Sequence, residues 1–534
     1  MAGFADILLR GLILVLGSLA LGGVVWLRIV LRAEPHAKPD GPAAIALRAV
    51  ALAAAGVAAA QALVLLVSLG ALVAPDGAWP VGDFFATTFA RAAAVRAAWA
   101  GAVAALAWAM AGRAAGRLAW LALAVGAAVL VASSAVLSHA MARVDSRAVL
   151  VGLDAAHQVA AAVWVGGLAH LTLYAAWRRR HAAALATWPD AASRASGPLL
   201  RRFSSVAFWS MAVIVAAGLG LTWLYVGDAA AFVGTAYGVM IVSKVILLLA
   251  ALCLAYVNMR AVRAAVREPG VRLFRFVEVE LGLAVTILFA AASLTSLPPA
   301  IDVTTDRASV AEVAARFVPA PPRLTSPPIA ELLHSADPLM GRQLERKPVE
   351  RAWSEYNHHW AGLFVVTMGA LAMLERLGVR AARHWPLVFL GLATFLFVRN
   401  DPRAWPLGPA GFWESLTLPD VLQHRTFVLL VVAFAFFEWM VRTGRLPQRP
   451  SAFVFPVLCA VGGGLLLTHS HAMFSLKDEF LTEVTHAPLG VLGAFAGWGR
   501  WLELRLPEAG RWPGWTWRAC FAGVGLLLLF YREG

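Results

Sequence analysis

The sequence predicts an all-α, polytopic integral membrane protein of about fourteen transmembrane helices, in blocks of eight and six. Three observations predict it. Hydrophobic residues fill 60% of the 534 positions and charged residues only 14%. Many apolar stretches exceed the roughly 18 residues that a spanning helix needs. Arginines gather in alternate loops between those stretches, the pattern that sets membrane orientation. Abundant glycine and alanine inside the stretches suit closely packed membrane helices.

The first block reads as helices at roughly 7–31, 43–74, 92–111, 116–139, 148–177, 204–227, 233–259 and 273–297. The first stretch is too long for a signal-peptide core and reads as a first span. A linker rich in proline and charge follows at 298–350, expected outside the cytoplasm. The second block reads as 352–374, 384–399, 424–441, 452–470, 484–502 and 514–531. The domains expected are therefore an eight-helix domain at 1–297, the linker, and a six-helix domain at 351–534 with a histidine-rich outer face.

Alternate loops carry the cations. They hold Arg32, Lys38 and Arg48; Arg113 and Arg117; Arg178 to Arg180, Arg201 and Arg202; and Arg260, Arg263, Arg267 and Arg272. The pattern continues with Arg376, Arg380 and Arg383; Arg442, Arg445 and Arg449; and Arg500, Arg505 and Arg511. These loops are cytoplasmic by the positive-inside rule, so both termini fall outside, in the periplasm of a bacterium. The formal charge of +14 thus reports orientation in the lipid bilayer, and nucleic acid is excluded as a partner. Trp79, Trp353, Trp413 and Trp512 lie near span ends as an aromatic belt. Cys253, Cys459 and Cys520 lie in apolar stretches and form no thiolate pair motif. No G-x-x-x-x-G-K-[ST] loop is present, which speaks against an ATP-driven pump.

Nine of the thirteen histidines fall on the outer side of these spans: His139, His157, His334, His358, His359, His424, His469, His471 and His486. Imidazoles gathered at one membrane face point to a metal, haem or proton site. The first block holds His139 and Met141 at the outer end of the fourth helix, and Asp154 and His157 on adjacent turns of the fifth. His157 would lie roughly 13 Å below the surface at about 1.5 Å per residue. Lys244 falls at similar depth, and an ion pair with Asp154 would meet its need for a partner. The alternative is a polar cluster that only fixes helix packing.

The second block is denser. His358 and His359 lie in the outer turns of the ninth helix, His424 starts the eleventh, and His469 and His471 end the twelfth. On one continuous helix Glu479, Glu483 and His486 share a face, and Glu483-x-x-His486 has the spacing of carboxylate-bridged metal bundles. Imidazole with carboxylate suits Cu(II), Zn(II) or iron. The alternative is a set of hydrated interfacial histidines. His469 and His471 point about 200° apart on a helix, so sharing one ion requires the helix to end between them. His36, His170, His181 and His384 lie inward, mostly beside arginine, and suggest no chemistry.

The first block resembles the bacterial CopD family of inner-membrane copper-handling proteins. The resemblance rests on Asp154-Ala-Ala-His157, Trp164-Val-Gly-Gly167-Leu-Ala-His170, Arg202-Phe-Ser-Ser205, and Thr235-Ala-Tyr237-Gly238 leading to Lys244. It continues through Glu278-Val-Glu280-Leu and Thr295-Ser-Leu-Pro298-Pro299. It covers about 130–300 well and the first 130 residues loosely. The second block looks like the C-terminal extension of some proteobacterial members, through Asn357-His358-His359-Trp360, His424-Arg425, Thr468-His-Ser-His471, Lys477-Asp-Glu-Phe-Leu and His486-Ala-Pro-Leu.

The resemblance implies copper resistance through transfer of the ion across or at the inner membrane, with periplasmic carriers of the CopC type as partners and His157 as a ligand. The expectation is a copper permease or delivery protein rather than an enzyme, with Asp154, His157 and Lys244 marking the path. The rival class is a membrane redox protein, since b-type cytochromes hold haem between histidines on facing helices; His139, His157, His359 and His469 are its axial candidates. A third reading is a metal-site assembly factor or metalloenzyme using iron or zinc at Glu483 and His486.

Overall fold

The computed structural model describes residues 2–32, 41–73, 77–141, 143, 146–181, 191–264, 271–335, 347–468, 476–506 and 511–533. Expected site residues His469 and His471 lie outside them. Among the described residues the structure is helical, without strands; one isolated bridge joins Ala404 and Ala410. Fourteen long helices follow the order of the expected spans. They are α1 (Ala2–Val25), α2 (Pro42–Gly70), α3 (Thr88–Met110), α4 (Arg117–Ala132), α5 (Arg147–Arg180), α6 (Ala191–Val226) and α7 (Ala236–Ala264). Then come α8 (Val271–Leu294), α9 (Pro348–Arg376), α10 (Val388–Arg399), α11 (Pro419–Arg442), α12 (Val454–Thr468), α13 (His486–Arg505) and α14 (Trp512–Leu529).

Ten helical segments among the described residues are long and apolar enough to cross a membrane, which makes this a multi-pass membrane protein. They comprise α1 to α8, α11, and α10 together with the short turn before it. The other four fall short of the expected fourteen for visible reasons. Helix α9 carries Asn357, His358 and His359 in its outer turns, and α12 has only 15 residues. Helix α13 holds Arg500 and Glu503, and α14 holds Arg518 among its tryptophans.

The chain divides into two compact units. The first comprises Met1–Ala229, Met240–Asp302 and Thr468–Ser470; the second comprises Ala230–Val239, Val303–Leu467 and His471–Gly534. In the first unit α1 is the central helix and packs on α2, α4, α5 and α8. Its crossing with α5 is a backbone contact. A Cβ on Gly166 would lie 1.9 Å from the Ser18 carbonyl oxygen, and one on Gly22 would lie 2.5 Å from the Gly166 Cα. Only glycine permits that approach, and lipid-facing helices associate through such small-residue contacts. The Trp164–His170 segment is built around this crossing. The Nδ1 of buried His170 donates to the Gly166 carbonyl at 2.8 Å, and Trp164 donates to Glu280 on α8 at 3.4 Å.

In the second unit α9 packs on α14 and α10, α14 on α13, and α10 on α11. Its core joins Met368, Trp385, Phe455, Trp517 and Phe521. The two ends of this unit differ in chemistry. His358 and Arg376 are both on α9, about 27 Å apart at about 1.5 Å per residue, close to the roughly 30 Å of a bilayer core. His358 and Tyr531 stack at one end, and the paired arginines Arg376, Arg442, Arg500 and Arg518 lie at the other.

The proline-rich stretch expected as a linker packs into the second unit from Val303 onward. The Ser309 hydroxyl caps the short helix Val310–Ala315. Ala308 N–H donates to Gly234 O at 3.1 Å, and Trp360 donates to Leu324 O at 3.1 Å. Lys477 pairs with Glu312 at 2.7 Å, while Val313 packs with Phe480, Leu481 and Val484. Two segments expected on the outer side thus form one layer.

One expectation is corrected here. Glu479, Glu483 and His486 do not ride on one helix. A short helix, Leu476–Glu483, ends before Val484, and α13 starts anew at His486. Pro488 supplies the reason: its ring clashes with the carbonyl four residues back in a continuous helix, yet fits a first turn.

Gly166→Val is expected to lower the thermal stability of the detergent-purified chain by about 1–3 kcal/mol through overpacking. Gly152→Val, on the same helix at a position with open space around its Cα, is the control and should leave the melting temperature nearly unchanged. Equal melting temperatures for the two variants would contradict the crossing as the packing node.

Candidate functional site

Each unit holds one candidate site. In the first, α5 carries Asp154 and His157 one turn apart. His157 Nδ1 lies 3.0 Å from the Ile214 carbonyl on α6. A carbonyl only accepts, so Nδ1 carries the proton and Nε2 keeps its lone pair. The ring rests on Gly218, where a Cβ would stand 3.2 Å from its Cε1. Two helices therefore fix the ring, and Nε2 is the nitrogen that keeps a lone pair.

Asp154 does not form the expected ion pair with Lys244 among the described residues. Its Oδ1 accepts from Gln158 Nε2 at 2.9 Å, because Gln158 lies one turn on along the same face. Lys244 on α7 acts through space on both Asp154 and His157. Toward the outer end, Arg143 pairs with Asp302 at 2.7 Å and lies 5.8 Å from the Tyr225 ring centroid. Tyr225 is coupled through space to both Asp154 and Asp302. His139 and Met141 form a single 3-10 turn nearby in sequence, with Met141 exposed.

Deeper in the same unit, buried Glu280 accepts from Trp164 and from Asn258 Nδ2, each at 3.4 Å. Buried Arg96 donates to Gln61 at 3.0 Å and to Ser134. Neither group was singled out as a site in the sequence. Both carry the signal that finds them, an ionisable residue inside an expected span.

The second unit gathers residues from distant parts of the chain around Tyr531. The His358 ring stacks on Tyr531 with centroids 4.0 Å apart, and His486 lies 6.4 Å from His358. His358 Nδ1 lies 2.8 Å from the Ser354 carbonyl, so it donates there. Tyr531 donates to Thr482 O at 3.1 Å, and Glu355 accepts from the Glu533 N–H at 3.3 Å.

His359 stands apart from this set. Its Nδ1 accepts from the Arg323 N–H at 2.6 Å and its Nε2 donates to Tyr531 O at 2.7 Å. Both ring nitrogens are engaged, and the side chain serves as a buried cross-link between backbone segments. His424 is half-exposed and meets Asp401 at 2.7 Å and Asn400 at 2.9 Å. Glu479 and Glu483 are half-buried near the helix break. Among the described residues no three His, Cys, Asp or Glu side chains converge as a metal cage.

Residues 197–294 match the family model described as Copper resistance protein D, CopD. The matched segment spans α6 to α8 and contains Ile214, Gly218, Lys244, Asn258 and Glu280; Asp154 and His157 lie outside it, on α5. No curated protein and no solved structure matched the chain.

The outer layer yields a pH prediction. A hydrogen bond from Lys477, then those from Ser309, hold the exposed Glu312 carboxyl at about 2, below its ordinary 4.5. A depressed carboxyl favours the paired state above its ordinary value and loses that preference as pH falls toward 2. Carboxyl-carbon NMR should find the Glu312 midpoint near 2, returning toward 4.5 in Lys477→Met. An ordinary midpoint in the unaltered chain would contradict the contact.

Proposed function

We propose, from the match of residues 197–294 to the CopD model of copper resistance proteins, that this chain belongs to that family and passes or delivers copper at the bacterial inner membrane, through the site of Asp154, His157 and Lys244. One observation carries the reading. An imidazole whose Nε2 keeps a lone pair, a carboxylate one turn away and an ammonium close enough to act on both through space lie on α5 and α7, where charges are costly and mark ion paths. The matched segment supplies the Ile214 carbonyl that orients His157, and it supplies Lys244.

The chemistry follows from charge balance. Lys244 is a built-in cation that offsets Asp154 while no metal ion is present. Copper arriving from the periplasm takes that place on Asp154 and His157 Nε2. Lys244 then turns away or gives up its proton, since a second positive charge beside the ion is unfavourable. One imidazole and one carboxylate suit Cu(II) better than Cu(I), which prefers thiolate and thioether. His358 and His486, with rings 6.4 Å apart, form an accessory capture point on the periplasmic side. A carrier of the CopC type hands copper over there. Both termini share that compartment.

The haem reading loses His359, whose ring nitrogens are both occupied. A Soret band in the purified chain would revive it against the copper reading.

Uptake of radioactive copper into proteoliposomes tests the proposal. His157→Ala is expected to slow uptake roughly tenfold or more, as loss of metal-site residues does. Lys244→Met should leave Asp154 unbalanced, so that copper binds more tightly and leaves more slowly. Both the half-saturating concentration and the maximal rate then fall. Unchanged uptake in His157→Ala would overturn the path.

A further inference from the structure

The arginine end of the second unit holds a cavity of about 270 Å³, lined by Glu375, Arg376, Val441, Arg442, Ala452, Arg500 and Arg518. We propose that this cavity binds a phosphate group, presented by an anionic lipid headgroup or by free phosphate. The inference is independent of the copper reading, because none of these residues belongs to the sites above.

Charge supports it first. Four guanidiniums line the cavity, and among the described residues the carboxylates paired to them are three: Glu375, Glu438 and Glu503. One positive charge is left over in a region withdrawn from water, where an uncompensated ion is costly. An anion in the cavity removes that cost.

Hydrogen-bond capacity supports it second. The Arg442 side chain is 6% exposed. Its Nε bonds Glu438 at 2.7 Å and its Nη1 bonds Glu375 at 3.0 Å. Its Nη2 is buried with no hydrogen-bond partner, and so is the Nε of Arg500. Two buried donors on two cavity-lining arginines therefore lack a partner among the described residues, with Glu438 Oε2 an unpaired acceptor beside Arg442, a condition that native interiors rarely tolerate. Guanidinium forks match the oxygens of a phosphate group.

The cradle is also rigid. Arg442 Cζ lies 5.0 Å from the Trp385 ring, 5.5 Å from Trp517 and 5.9 Å from Phe455. Arg518 is held by the Ala372 carbonyl at 2.8 Å, the Gly514 carbonyl at 2.6 Å and Glu503 at 3.0 Å. Size limits the ligand. The cavity of about 270 Å³ lies at the lower edge of the roughly 300–1,000 Å³ of ligand pockets, and it admits a phosphate group. Its place among the ends of α9 and α11, amid the basic loops, is where pockets between membrane helices hold anionic headgroups.

The test uses the full chain, delipidated in detergent. Its melting temperature is followed against inorganic phosphate, short-chain phosphatidylglycerol and short-chain phosphatidylcholine. A saturable rise with phosphatidylglycerol at lower concentration than phosphate identifies a lipid headgroup; a rise with phosphate alone identifies the free anion. In either case Arg442→Lys, which keeps the charge but lacks Nη2, should shift the half-saturating concentration roughly tenfold or more. Because that variant can perturb the fold, Arg376→Ala, altering a more exposed lining residue, is run beside it and should weaken binding with unchanged circular dichroism. No rise with either anion, equal rises with phosphatidylglycerol and phosphatidylcholine, or full binding by both variants would overturn the proposal.

Discussion

A charge drawn into hydrocarbon must find a partner, and the described helices are arranged around that requirement. Placing an isolated charge at the bilayer centre costs at least about 2.5–3.5 kcal/mol, while an ordinary hydrogen bond contributes only about 0.5–1.5 kcal/mol. Partner residues therefore decide which helices meet. Arg96 draws Gln61 of α2 and Ser134 beyond α4 toward α3. Glu280 draws Trp164 of α5 and Asn258 of α7 toward α8. Lys244 is set against the Asp154 turn.

Close backbone contact makes these arrangements possible. The Gly22–Gly166 approach brings α5 against α1, and Trp164 leaves α5 just before that point to reach Glu280. His157 lies two turns further out on the same rigid helix. Packing, buried carboxylate and candidate copper ligand thus share one element, and a displacement of α5 moves all three. The second unit meets the same requirement differently. It gathers paired arginines and glutamates beneath a sheath of Trp385, Trp517 and Phe455, and further ion pairs such as Arg323–Glu355 and Lys477–Glu312 lie among the histidines.

The helices were legible because apolar runs and basic loops act locally along the chain. Each expected span has a helix at its position, although α9, α12, α13 and α14 are too polar or too short to satisfy a length-and-hydropathy criterion alone. The site was legible in part. Ordinary helical spacing put Asp154 and His157 on adjacent turns, and the resemblance to CopD anticipated the matched segment 197–294. What the sequence hid is non-local. His359 is occupied by Arg323 and Tyr531, 36 and 172 positions away. Glu483 and His486 part company through Pro488, a local signal available in the sequence that outweighs the spacing. Glu280 and Arg96 stand in plain view as ionisable residues within spans, behind a more numerous set of histidines.

The central claim is that His157 Nε2 ligates copper inside the first unit. Electron paramagnetic resonance of the Cu(II)-loaded chain tests it most directly, in a background with the outer histidines His139, His334, His358, His424, His469, His471 and His486 replaced by alanine. The account predicts nitrogen hyperfine structure from one imidazole, lost on adding His157→Ala. A spectrum with the same nitrogen couplings after that substitution would contradict it.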